Sequence, residues 1–61
     1  MAEVSELLKQ ATACRDLAKR AMRVAGIFKD DLDRERTLRY AKELEEQAVD
    51  LEKQAAVLTA P

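Results

Sequence analysis

Residues 41–58 read AKELEEQAVDLEKQAAVL. Apolar side chains fall at Ala41, Leu44, Ala48, Leu51, Ala55 and Leu58, in steps of 3 and 4. That alternation is the seam of a helix packed along another helix. The stretch also repeats itself: Leu44-Glu45-Glu46-Gln47-Ala48 returns seven residues on as Leu51-Glu52-Lys53-Gln54-Ala55. Toward the N-terminus the same rhythm runs through Val4, Leu7, Ala11, Cys14, Ala18, Ala21, Ala25 and Phe28. Residue choice agrees with the period, because Ala, Leu, Glu, Lys, Arg and Gln all favour helix. Asp16 with Arg20 and Glu35 with Arg39 lie four apart, and each such pair adds about 0.2–0.5 kcal/mol.

The rhythm breaks between Gly26 and Asp33. Gly26 suits the left-handed position just past a helix end, with Ile27 touching Met22 as the contact that accompanies that cap. An alternative keeps Gly26 inside the first helix and turns the chain at Phe28 to Asp30. Asp30 or Asp31 then caps the second helix, with Asp33 and Glu35 near its positive end. Pro61 stops that helix or lies in a tail.

The expectation is a single all-α domain over residues 1–61: a helix over about 3–25, a turn over about 26–31 and a helix over about 32–59. So short a connection makes the helices antiparallel neighbours. Their seam consists of Ala11, Cys14, Ala18, Ala21 and Ala25 against Ala41, Leu44, Ala48, Leu51 and Ala55. Small residues there bring helix axes toward the short end of the usual range of about 8–10 Å. One partner helix covers a narrow seam only. Leu8, Leu17, Met22, Val24, Leu38, Tyr40 and Val49 lie beside it and call for further helices. Two hairpins joined in a four-helix bundle supply them, so a homodimer is expected.

Composition narrows the chemistry. The 61 residues include no His or Trp, one Cys, one Gly and one Pro. There is no imidazole base or His-ligated metal, no internal disulfide and no Gly-rich phosphate loop. No cofactor or metal site is expected. Cys14 sits on the apolar seam, where a thiol packs as a small hydrophobe rather than reacting. Asp30, Asp31, Asp33 and Glu35 lack the twelve-residue spread and turn glycine of a calcium loop, and helix capping explains them. Ser5 and the threonines have no activating base, and no catalytic residue is assigned. No apolar run is long enough to span a membrane, and no secretory signal is evident. An unpaired Cys suits a reducing cytoplasm.

Charge is uneven along the chain although the net value is −1. Residues 15–42 hold nine basic and five acidic side chains, whereas residues 43–61 hold one and five. The hairpin then has a basic turn end and an acidic open end, and two copies laid head to tail match opposite poles. Arg15, Lys19, Arg20, Arg23, Arg34, Arg36, Arg39 and Lys42 gather toward the turn end, with Tyr40 available to stack on a base.

Cys14-Arg15-Asp16-Leu17-Ala18, the run from Asp33 to Ala41, Glu43-Leu44-Glu45 and Ala48 resemble small bacterial helical-hairpin proteins of no assigned function. The likeness covers about residues 11–56 and implies a hairpin. In size and plan the chain also resembles the repressor-of-primer family, whose hairpins form antiparallel dimers that bind paired RNA loops. That likeness is of architecture and carries over no residue motif. The functional expectation is a non-enzymatic interaction module that self-associates or docks on a helical protein. The alternative is a regulatory RNA- or DNA-binding dimer that uses the basic turn end.

Overall fold

The computed structural model describes residues 2–60. It is all-helical: α1 spans Ala2–Ala25 and α2 spans Asp31–Thr59. At 1.5 Å per residue these are about 36 and 43 Å long. They pack antiparallel into a rod whose Cα extents are 49 × 13 × 10 Å. Pro61 lies outside the described residues.

The turn is built from three devices. Helix α1 ends by tightening: the Gly26 amide donates to the Met22 carbonyl at 3.4 Å, then Ile27 donates to Val24 at 2.9 Å and Phe28 to Ala25 at 3.3 Å. The last two bonds span three residues rather than four, as in a final 3₁₀ turn. Asp30 caps α2, its Oδ1 accepting from the Leu32 amide at 2.9 Å. Arg34 then ties the turn together, donating to the Phe28 carbonyl at 2.9 Å and to Asp31 Oδ1 at 3.1 Å.

Gly26 corrects the left-handed reading. No residue among those described has a positive φ, so α1 does stop at Ala25 but without a left-handed cap. The tightened turn already satisfies carbonyls at the helix end, and the chain leaves in ordinary right-handed geometry. Ile27 is 78% exposed and makes no buried contact with Met22.

The core is one line of side chains. Among the described residues, Ala11, Ala18, Ala21, Ala25, Ala41, Leu44, Ala48 and Ala55 are buried. Ala18, Ala21, Ala41 and Leu44 cluster at its centre. Cys14 and Leu51 are half-buried on the same line. A rod two helices wide has only this contact to bury. Leu58, expected on the seam, is 51% exposed, because it lies in the last turn of α2 at the open end. Thr12, Thr37 and Thr59 hydroxyls donate to carbonyls of their own helix.

Two outcomes follow from this geometry. Gly26→Ala gains stability, because a Cβ there meets only the Arg23 carbonyl oxygen at 3.4 Å and φ is negative. The expected rise is about 0.4–1 kcal/mol, read as a higher melting temperature at fixed concentration; a lower one restores the left-handed cap. Ala48→Glu places a carboxylate where 0% of the residue is exposed, and the far-UV helical signal should collapse. An unchanged melt would displace Ala48 from the seam.

Candidate interaction surfaces

Cross-helix contacts fix which flank of α1 sits beside which flank of α2. Arg15 Nε donates to Glu52 Oε2 at 3.3 Å, and its Nη2 donates to Glu52 Oε1. The Cys14 thiol lies 3.9 Å from Gln47 Oε1. Arg15 and Cys14 straddle the seam, so these contacts mark opposite faces of the rod. Side chains seven residues apart on a helix share a row. Leu8 and Met22 therefore lie in the row of Arg15, and Leu38 and Glu45 in the row of Glu52, with Val49 between turns of that row. Tyr40 lies in the row of Gln47. Leu17 is one turn beyond Cys14, and Val24 is seven further on.

The seven flank residues thus divide into two faces. One carries Leu8, Met22, Leu38 and Val49; the other carries Leu17, Val24 and Tyr40. All seven are exposed. A single partner laid on one face leaves the other open, so the seven do not form one continuous interface.

The eight basic residues have unequal fates. Arg15 and Arg34 are half-committed inside the hairpin, through Glu52 and through Asp31 and the Phe28 carbonyl. The hydrogen bond to Glu52, then the Glu52 charge, holds the Arg15 guanidinium above its ordinary pKa. Lys19, Arg20, Arg23, Arg36, Arg39 and Lys42 are exposed. Helical rotation of about 100° per residue turns Arg20 and Arg23 away from α2. The same rotation turns Arg39 and Lys42 away from α1. The six do not converge: Arg23 and Arg39 point to opposite edges of the rod, Lys19 and Lys42 flank one face, and Arg20 and Arg36 flank the other.

Concave surface is scarce. The shallow grooves run along single helices, one beside Lys42, Glu46, Val49 and Lys53, another beside Ser5, Leu8 and Thr12. Among the described residues no three His, Cys, Asp or Glu side chains come together to hold a metal ion. No helix there is long and apolar enough to cross a membrane. Cys14 is a free thiol, half-buried rather than fully enclosed.

No family, characterised protein or solved structure matches this chain.

Arg34, read from the sequence as one of the basic residues, and Thr37 take seam positions that the sequence reading did not give them. Stepping back from Ala41 by 4 and then 3 reaches Thr37 and Arg34, both half-buried. They extend the α2 seam as polar members. The spacing contains the signal; a search for apolar residues passes over it. Arg34→Ala should lower stability by about 1 kcal/mol through the lost bond to the Phe28 carbonyl. For a chain this short that is a fall of roughly 4–8 °C in melting temperature. Arg39→Ala is the control: among the described residues Arg39 forms no ion pair with Glu35, so the melt should stay unchanged, and equal melts for both variants would refute the role of Arg34.

Proposed function

We propose that this chain is a small non-enzymatic helical interaction module, working by self-association or by docking on another helical protein. A homodimer comes first, as two hairpins in a four-helix bundle, and the lone thiol suits a reducing cytoplasm. The observation that carries the reading is the imbalance between core and surface. Among the described residues the buried set is seven alanines and one leucine, while eleven large apolar side chains are exposed.

Area gives the imbalance a scale. The chain exposes 4814 Å². A folded monomer of 6.9 kDa is expected to expose about 4000 Å² from the scaling of surface with mass. The excess, about 800 Å², is what one partner contributes to an ordinary protein interface. Small chains without disulfides or metals commonly gain their missing burial from a second copy.

A second reading takes the exposed cations as a nucleic-acid surface, with Tyr40 exposed one turn from Arg36. Their failure to converge favours the first reading. Neutralising about four phosphates would give a log–log salt slope near −3 to −4. Absence of retention on nucleic acid at low salt removes this second reading.

Sedimentation equilibrium at micromolar concentration should return twice the 6.9 kDa chain mass. A 6.9 kDa particle with a cooperative melt would overturn the homodimer that this reading puts first.

A further inference from the structure

We infer that the partner is a second copy of this chain, docked on the Leu8–Met22–Leu38–Val49 face with the two turns at the same end. The inference rests on the self-association reading above and adds the face and the orientation.

The face is chosen by how its apolar groups are spread. Leu8 lies toward the open end, Val49 near mid-rod, and Met22 and Leu38 toward the turn, and all are exposed. They therefore offer contact along most of the 49 Å length. On the opposite face Leu17, Val24 and Tyr40 all lie toward the turn half. The open half of that face presents Val57 among Glu3, Glu6 and Gln10, all of them exposed, so acidic and polar side chains interrupt its apolar groups.

Charge sets the orientation. Two identical layers can meet on the same face in two twofold ways. With the turns opposed, α1 lies over α1 and α2 over α2. With the turns together, α1 of each copy lies over α2 of the other at unchanged height. Helix α1 carries five basic and three acidic side chains, and α2 carries five and eight. On the chosen face the contrast is local: α1 presents Arg15 and Lys19, and α2 presents Glu45 and Glu52 along with Lys42. Opposed turns set basic row on basic row and acidic row on acidic row. Turns together set each basic row on an acidic one.

Pole matching along the rod, which favours a head-to-tail pair, has little to act on here. Glu3 and Glu6, the acids at the start of α1, lie in the rows of Leu17 and Ala13 and so face the other way. Screening over about 8 Å at physiological salt leaves direct cross-face neighbours in control.

The register names the contacts. Ala18 and Ala21 cluster with Ala41 and Leu44, so Lys19 and Glu45 stand at the same height. In the pair with turns together, Lys19 meets Glu45 of the second copy. Met22 meets its Leu38, and Leu8 meets its Ala56. Arg15 is already held by Glu52 of its own chain, which leaves Lys19 and Glu45 as the pair that selects the orientation.

A charge-swap cycle tests this directly. Lys19 and Glu45 are exposed, so Lys19→Glu and Glu45→Lys should each keep the helical signal. Each should weaken dimerisation about tenfold at low salt, and the double variant should return to within about threefold of the parent. Single variants that dimerise like the parent, or a double variant that stays weak, would overturn the face and orientation while self-association stands. A parent chain that is monomeric would overturn both.

A second measurement reads orientation alone. In a Cys14→Ala background, spin labels on Lys29→Cys in the turn should lie well under half the 49 Å rod length apart. A separation close to the rod length would overturn the shared-end arrangement.

Discussion

Among the described residues, the side chains fully buried between α1 and α2 are seven alanines and one leucine, and that choice of side chain governs the rest of the molecule. Methyl groups let the two backbones approach closely over many turns, which makes a straight, thin rod. They also bury little apolar area per residue, because hydrophobic stabilisation scales with area removed from water. The larger side chains are displaced to the flanks, where α1 and α2 cannot cover them. A tight seam and a greasy exterior are two consequences of the same composition.

The turn shows how the pairing is held in register. Asp30 satisfies an amide at the start of α2, and Arg34 bridges Asp31 and the Phe28 carbonyl. Arg15 and Glu52 clip the helices together on one flank. Both residues of that clip remain partly exposed, so it fixes geometry more than it adds stability. With register fixed, the basic row of α1 and the acidic row of α2 lie side by side on one face, and a surface with two such rows complements itself.

Much of this was legible in the sequence, and the limits have physical causes. The 3-and-4 spacing of Ala41, Leu44, Ala48, Leu51 and Ala55 identified the line that the structure buries or half-buries. Spacing alone did not reveal that Arg34 and Thr37 continue it, because polar residues at seam positions carry no hydrophobic signal. Gly26 misled for a different reason. Glycine after a helix suits a left-handed cap, but backbone bonds from Ile27 and Phe28 close the helix without one. Matching the flanks of α1 to those of α2 also needed the structure. A helical period orders residues around each helix, and only cross-helix contacts such as Arg15–Glu52 and Cys14–Gln47 say which flank meets which.

The central claim is that one hairpin cannot bury enough of itself to stand alone, and thermal unfolding over a hundredfold dilution addresses it most directly. If folding and association are linked, the melting temperature falls steadily as the chain is diluted. A melting temperature that holds constant across that range would contradict the claim.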